Sequence, residues 1–535
     1  PLEFLSDLGL DPKAISGATA ARLVFDFPLL NDLKVQQIAI AAGATLRSVA
    51  IDKGPMGLAM RQGALELKVT GQGITAAGTA NFAGVPVKID WRENFGKTQP
   101  VQRQVKVSGL LGNEARRVLG FSGLTFLDGE VPTDVQVTMP FGGRREVNVT
   151  ADLKRASLDF PFIHWRKPPG APASLTAFAV TPPGGDTVIE TLKISAGDLR
   201  ISARAEMTDD ARGLKLLEFR DLQFAGNSLA GRIGFRDGGG YDIALTGARL
   251  DVGPFMQSDD EVDLRTEGEP VPLRIDANIA EVHLGDGQVL RDVRALLDGT
   301  DADWRQIDVD SSIGNGGRLT VQYRPDGAGR SLTIATDNGG DALKALGWTK
   351  RVSGGKLRIA GKQAAPGAPM AGVFSLKEFK VSDAPALARI LQVLSLTGIF
   401  SALNQTGLDF VTLDGEYRYF GGVLEVTDTR AFGSSIGITT AGVIYAGSNI
   451  VRLDGTIVPA YTINQVLGKI PILGQILTGG KSEGLFAANY ALSGSLENPD
   501  VSVNPLSALA PGFLRNLLGA NVKPISEKDV PSSAD

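Results

Sequence analysis

The chain has 535 residues, enough for about three or four average domains or for one long repetitive body. Its 54 Lys and Arg against 59 Asp and Glu give a net charge of −5, which argues against a dedicated nucleic-acid binder because such a protein carries a strongly basic face. With no cysteine, the chain has no disulfides, thiol nucleophiles or cysteine-bound metals. Only His164 and His283 are available for acid–base chemistry by histidine near neutral pH.

The beginning of the sequence carries no targeting signal. It starts at Pro1 without an initiator methionine, so we expect a processed or excised piece. No run of about 18 apolar residues occurs, and we therefore expect no bilayer-spanning helix within the chain.

Apolar and polar residues alternate along most of the chain. Leu65, Leu67 and Val69 alternate with charged or polar residues, and a period of two is typical of a half-buried strand. Turn signals such as Gly71-Gln72-Gly73 separate successive runs. The alternation predicts that one face collects these candidates for an apolar groove: Leu65, Leu67, Val69, Val85, Val87, Ile89, Leu229, Ile233, Phe235, Tyr241, Ile243 and Leu245.

Helical patterns are few and short. They cover residues 2–8, 113–119, 341–346, 384–403, 463–477 and 505–518. Parallel sheets need a helix between most strands, and those helices are missing. The sequence therefore predicts an all-β fold with a long, mainly antiparallel sheet and a few short helices, mostly near the C-terminus.

A sheet with one apolar face must cover that face. A second sheet would do so in a sandwich, whereas a long curled sheet would form an open trough whose floor is filled by lipid. Periodicity alone leaves both arrangements open.

Short motifs in the last third of the chain bear on this choice. They are DNGGDALKALG at 337–347, APALARIL at 384–391, IPILG at 470–474, EGLFA at 483–487 and NPLSALAPG at 504–512. Together they resemble the AsmA-like family of bacterial envelope proteins, in its YhdP-type branch. WRENF at 91–95 and WRKP at 165–168 resemble the same family more loosely.

The resemblance implies a long open β-groove that carries phospholipid through the periplasm between the inner and outer membranes. It also implies an inner-membrane anchor helix, which is absent from this chain. We expect a repetitive groove region at 1–336, a C-terminal region of strands and apolar helices at 337–504, an apolar helix at 505–518 and a disordered polar tail at 519–535.

Two apolar stretches near the C-terminus have two possible roles. Their low charge suits docking to a membrane or to an envelope protein, and it equally suits a cap over the open end of a sheet. The docking candidates are Ile463, Leu467, Ile472, Leu473, Leu506, Leu509, Phe513 and Leu517.

Four features that suggest chemistry have simpler interpretations. The G-x-S-x-G match at 433–437, centred on Ser435, and the G-x-G-x-x-A match at 71–76 both lack the following helix that their chemistry needs, so we interpret them as turns. The acidic run at 259–263 lacks calcium-loop spacing and is interpreted as a solvated loop. Neither histidine has a second one near it, which disfavours a metal site.

We therefore expect a lipid conduit that needs no cofactor and is not an enzyme. The main alternative is a structural or assembly factor whose strand edges pair with other envelope proteins. A polysaccharide hydrolase on a β-scaffold is a third hypothesis, because carboxylates are abundant.

Overall fold

The structure, a computed structural model, describes residues 15–504 except 31, 33, 35–36, 53, 55–57, 97–98, 122, 210–212, 255–269, 286, 447, 460–486 and 497. These residues divide into two compact units, the first running to Leu250 and the second beginning at Asp251. The domain boundary expected at 336/337 stays a prediction. Strand pairing in the second unit continues across that position, since Thr336 pairs with Leu357.

The first unit is almost entirely β-structure. Its elements are β1 (Ile15–Asp26), β2 (Ala39–Ile51), β3 (Met60–Thr70), β4 (Gly73–Phe82), β5 (Val85–Asn94), β6 (Val101–Leu111), α1 (Asn113–Val118), β7 (Leu127–Asp128), β8 (Val131–Pro140), β9 (Arg145–Asp152), β10 (Ser157–Phe160), a 3-10 helix (Pro161–Ile163), β11 (Trp165–Lys167), β12 (Ala173–Thr181), β13 (Val188–Ala196), β14 (Leu199–Met207), β15 (Leu214–Phe224), β16 (Asn227–Phe235) and β17 (Tyr241–Asp251).

Fourteen of these strands form one antiparallel sheet. Each pairs with the next in the chain, and β9 pairs directly with β12. The short strands β7, β10 and β11 form a separate three-stranded sheet.

The second unit repeats this plan with more helix. Its elements are β18 (Pro272–Gly285), β19 (Gln288–Thr300), β20 (Trp304–Ile313), β21 (Gly317–Asp326), β22 (Gly329–Thr336), α2 (Gly339–Ala345), β23 (Val352–Gln363), β24 (Met370–Val381), α3 (Pro385–Val393), α4 (Thr397–Gln405), β25 (Leu408–Phe420), β26 (Val423–Gly433), β27 (Ile436–Tyr445), β28 (Ile450–Pro459), β29 (Ala488–Ser495) and β30 (Asp500–Asn504). Its thirteen strands pair antiparallel in chain order.

The strand ladder is open. Among the described residues β1 pairs only with β2, and β30 pairs only with β29. The prediction of an all-β fold with a long, mainly antiparallel, open sheet and a few short helices is therefore confirmed.

The predicted helices that fall within the described residues are all helical in the structure, although one of them is divided in two. The patterns at 113–119 and 341–346 correspond to α1 and α2. The single stretch expected at 384–403 is instead two helices, because Ser395 adopts a left-handed conformation with φ 58 that interrupts the helix. The helices expected at 2–8, 463–477 and 505–518 lie outside the described residues.

Large aromatic rings on one strand cover glycines on the next. A Cβ on Gly455 would lie 2.0 Å from the Thr439 carbonyl oxygen and 2.5 Å from the Tyr490 hydroxyl, so glycine alone leaves room for that ring. Two further glycines lie against a ring on the next strand, and these are Gly231 with Phe219 and Gly415 with Phe374. Gly361 lies against the Tyr417 ring, which reaches it from two strands away across Gly372.

We expect Gly455→Ala to lower the free energy of unfolding by about 1–3 kcal/mol, because the added methyl group displaces Tyr490 or the neighbouring strand. Gly71→Ala is the matched control: a Cβ there meets nothing within 4 Å, and its φ is not positive. Urea unfolding of both variants measures the difference. Equal stabilities would contradict the packing argument.

Candidate functional site

A single row of side chains crosses the whole sheet of the first unit. Residues that pair directly across antiparallel strands project from the same face. Starting at Leu67, the register leads through one residue on every strand to Ile233 and Ile243. The complete row from β1 to β17 is Ala21, Ala44, Leu67, Ala76, Trp91, Val105, Val137, Val147, Ala179, Ile189, Ala205, Leu217, Ile233 and Ile243, and every member is apolar.

The face that carries this row, hereafter the apolar face, contains all twelve residues proposed for a groove. Leu65 pairs with Gly78, which pairs with Ile89, so Leu65 and Ile89 lie on the same face. Leu229 pairs with Gly247, which lies on the strand of Ile243 and in phase with it. Val85, Val87 and Leu229 are buried and Tyr241 is 40% exposed. The other eight are partly exposed: Leu65, Leu67, Val69, Ile89, Ile233, Phe235, Ile243 and Leu245.

The neighbouring row on the opposite face is mostly polar. It includes Lys68, Arg92 and Glu206, one residue along from Leu67, Trp91 and Ala205. Ion pairs lie on this face, where Arg204 is 2.8 Å from Glu206 on its own strand and 3.5 Å from Glu218 on the next strand. One face of the sheet is thus charged and solvated, while the other is apolar.

No second sheet of similar size covers the apolar face in the described part of the first unit. Apart from the fourteen strands, that part contains only α1, the 3-10 helix and the small sheet. The sandwich that the sequence left open is therefore not the arrangement of these residues.

The apolar face is buried at one end of its strands. Val49, Ile51, Met60 and Val85 form a core there, against which Ala115 of α1 packs. On the same strand as buried Val85, Trp91 is partly exposed. On this strand the partly exposed side chains of Ile89 and Trp91 therefore lie between buried ones, since Glu93 near the other end of the strand is only 2% exposed.

Lys167 holds together the segment that carries the small three-stranded sheet. Its ammonium group is nearly inaccessible and donates to the carbonyl oxygens of Leu153 at 3.0 Å, Ala156 at 2.6 Å and Pro168 at 3.1 Å. Burial lowers the pKa of Lys167, and the nearby charge of Asp152 acts in the opposite direction. These carbonyl groups, together with that of Lys154 at 3.4 Å, compensate the ammonium group for lost water, so this lysine serves packing.

One ion pair interrupts the apolar face. Arg103 and Glu93 pair across β6 and β5 with distances of 2.6 and 3.2 Å, and their side chains are 5% and 2% exposed. The indole of Trp91 donates to the same carboxylate at 3.3 Å. Such a pair is stable only while both charges remain, because a lone buried charge is costly.

We expect Arg103→Met to lower the free energy of unfolding by about 3–5 kcal/mol, because it leaves the Glu93 carboxylate buried without its partner. The double variant Glu93→Gln, Arg103→Met should recover most of that loss. Arg117→Met, which removes an exposed pair with Glu114, is the control and should change nothing measurable. A double variant as unstable as the single one would contradict the assignment.

The sheet of the second unit has an apolar face of its own, and two helices of the chain cover part of it. The register joins Leu357, Leu376, Leu413, Ala431, Ile438, Ile457 and Ala488 in one row from β23 to β29. Ile390 and Leu391 of α3 and Leu403 of α4 are buried in the same cluster as members of this row. The two helices therefore contribute the side chains that a second layer would otherwise supply.

Tyr490 lies on this face with its hydroxyl group buried. The hydroxyl is 2.6 Å from the Thr440 hydroxyl and donates to the Thr439 carbonyl at 2.9 Å. Burial raises the pKa of Tyr490 to about 12, the hydrogen bond with Thr440 acts in the opposite direction, and the charge of Asp454 adds to the rise. The phenol thus stays neutral in the folded protein at a pH where an exposed tyrosine ionises.

Stability should therefore fall as pH rises from about 10 to about 12, because the unfolded chain loses this proton first, and the loss approaches about 3 kcal/mol. Tyr490→Phe lacks the ionisable hydroxyl and therefore this pH dependence. The difference in free energy of unfolding between wild type and variant should therefore become smaller as pH rises from about 10 to about 12. Urea unfolding near pH 9 and near pH 11.5 measures this difference, with exposed Tyr419→Phe as control. A constant difference would contradict the assignment.

The motifs that suggested chemistry are turns. Ser434 and Ser435 connect β26 to β27, and Gly71 and Gln72 connect β3 to β4, so both interpretations as turns are confirmed. His164 is exposed, and the Nε2 atom of His283 lies 3.4 Å from the Glu281 carboxylate. No metal-binding group of three or more His, Asp or Glu occurs in the described part of the chain.

Several predicted features cannot be placed. The acidic run at 259–263 lies outside the described residues, as do all eight docking candidates: Ile463, Leu467, Ile472, Leu473, Leu506, Leu509, Phe513 and Leu517. None of the described helices is both long and apolar enough to cross a bilayer.

Sequence reasoning missed three features of the structure. Glu93 follows Ile89 and Trp91 in the same alternating phase, so its charge on the apolar side was detectable. Lys167 likewise follows Trp165 in phase, and both are buried. The cover formed by α3 and α4 had no such signal, because a helical pattern does not say which strands it packs on.

Comparison with known proteins finds no matching family model, no matching curated protein and no matching solved structure.

Proposed function

We propose that the protein carries phospholipids along its apolar face, between the inner and outer membranes of a bacterial envelope. The observation that carries this proposal is the uninterrupted row of fourteen apolar residues in the first unit, which no second sheet covers in the described residues. Acyl chains lying along this row would be removed from water, at about 0.8 kcal/mol for each methylene group.

The row also supports movement. Its members differ in size and share the same chemistry, so neighbouring positions offer an acyl chain similar free energies, and a chain can shift from strand to strand without a deep trap. Headgroups would remain in water, since a phosphate on the apolar face would lose its hydration. The periplasmic location and the inner-membrane anchor rest on the family resemblance alone.

A second candidate function is a structural or assembly factor for the outer membrane that carries no lipid. The edge strand β1 favours it, because its backbone pairs on one side only in the described residues and Leu23 and Phe25 are more than half exposed. An exposed edge of this kind can accept a strand from another protein. Mass spectrometry of an organic extract of the purified protein separates the two, since only the first requires bound phospholipid.

We expect Ile233→Asp to abolish phospholipid crosslinking at a photo-reactive residue placed at Leu217, its neighbour in the row. A carboxylate there meets the acyl chains and raises a desolvation barrier, while its partial exposure limits the loss of stability to about 1–3 kcal/mol. Photo-crosslinking and a thermal melt of the same preparation test both statements.

Ala244→Asp is the matched control for this variant. Ala244 is partly exposed and pairs with Arg232 on the polar face, one residue from Ile243, so a charge there should leave the crosslink intact. An unchanged crosslink in Ile233→Asp would exclude this position from the lipid path. A large fall in the melting temperature of Ile233→Asp would show that Ile233 belongs to a closed core.

A further inference from the structure

The helices α3 and α4 lie on the same kind of surface that the first unit leaves uncovered. Ile390, Leu391 and Leu403 are almost fully buried against residues of β23, β24, β25, β27, β28 and β29. We call this surface the seat. Its members include Leu357, Leu376, Phe410, Ile436 and Ile457.

The strand ladder does not need this helix pair. Val381, the last residue of β24, pairs with Leu408, the first residue of β25, so the two strands join directly beneath the insertion. Ser382 still extends this pairing, since its N–H donates to the Arg351 carbonyl at 3.0 Å. Residues 383–407 can therefore leave the seat without breaking a backbone hydrogen bond of the ladder.

The helix pair is weakly fixed apart from its apolar contacts. Each helix has nine residues, neither N-terminus has a side-chain cap, and helices this short are marginal on their own. Asp383, Ser395 and Gly407 have positive φ at the ends of the helices, which marks three abrupt changes of chain direction. The side chain of Arg389 links α3 to the β29–β30 loop, through the Pro499 carbonyl and the Asn498 side chain, both at 3.1 Å.

We propose that the seat is a second acyl-chain site, which α3 and α4 occupy in the absence of lipid and yield to acyl chains in its presence. This proposal rests on the proposed function, because acyl chains must reach the apolar face. Unbranched hydrocarbon can replace the leucine and isoleucine side chains of the helices, since both are held by removal of apolar surface from water.

Because the chain has no cysteine, a single introduced thiol reports on the opening of the seat. We expect vesicles of phosphatidylethanolamine and phosphatidylglycerol to accelerate thiol labelling of Leu403→Cys by about tenfold, as binding to the open state shifts the opening equilibrium. Leu199→Cys, equally buried in the first unit, is the matched control and should label at an unchanged rate.

A photo-reactive residue at Leu413, in the row beneath the helices, identifies what replaces them. Phospholipid should crosslink there, and Arg389→Ala should increase both this crosslink and the labelling of Leu403→Cys. Arg318→Ala, which removes an exposed ion pair on the polar face, should change neither.

Three outcomes would overturn the proposal. If phospholipid crosslinks at Leu217 while Leu403→Cys labelling and the Leu413 crosslink stay unchanged, the seat is permanent packing and the proposed function stands. If labelling rises without a crosslink at Leu413, the helices enter the vesicle and the seat takes no lipid. If no crosslink forms at either Leu217 or Leu413, both the seat and the proposed function fail.

Discussion

The register of strand pairing is the constraint on which the rest of the structure depends. Side chains alternate with a period of two, so a slip of one residue would exchange the apolar and polar faces of a strand. β-Bulges maintain the register where the sequence changes phase. On β15 the apolar side chains change from Leu217 and Phe219 to Leu222 and Phe224, and a bulge between Phe219 and Leu222 keeps them on one face. Four other bulges contain a residue with positive φ, a conformation that is unfavourable for any residue except glycine. These residues are Ser48, Gln62, Asp292 and Asp428.

A single sheet with one apolar face leaves apolar side chains in contact with water, and this exposure costs free energy of folding. The first unit reduces this cost at one end of the strands, where Val49, Ile51, Met60 and Val85 form a core against which Ala115 of α1 packs. The second unit reduces it by laying α3 and α4 on the face. The polar face needs no cover, since Arg204 and its neighbouring glutamates remain hydrated there. What remains in the described residues is a partly exposed apolar surface that repeats from strand to strand, and large exposed apolar surfaces often mark binding sites.

The sequence predicted which residues share a face but not which residues meet. Alternation within β3 is enough to place Leu65, Leu67 and Val69 together. That Leu67 faces Ala76, and Ala76 faces Trp91, depends on turn lengths and bulges that alternation does not encode. Alternation also reports that one face is apolar without reporting what covers it, and so it left the choice between sandwich and trough open. The ion pair of Glu93 and Arg103 was missed for a related reason, because two charges are tolerated on an apolar face only when the register brings them within bonding distance.

The sizes of the residues in the row indicate which kind of molecule could occupy the apolar face of the first unit. Ala76 is followed by Trp91, and Ala205 by Leu217, so the surface is uneven from one strand to the next. A rigid protein layer would need a complementary side chain for every rise and gap, because packed interiors tolerate few voids. The row of the first unit has no such layer in the described residues. A fluid hydrocarbon chain adapts to an uneven floor without specific complementarity, and it can do so equally well at the next strand. Irregular size together with uniform apolarity therefore favours a mobile lipid over a fixed protein partner as the occupant of this face.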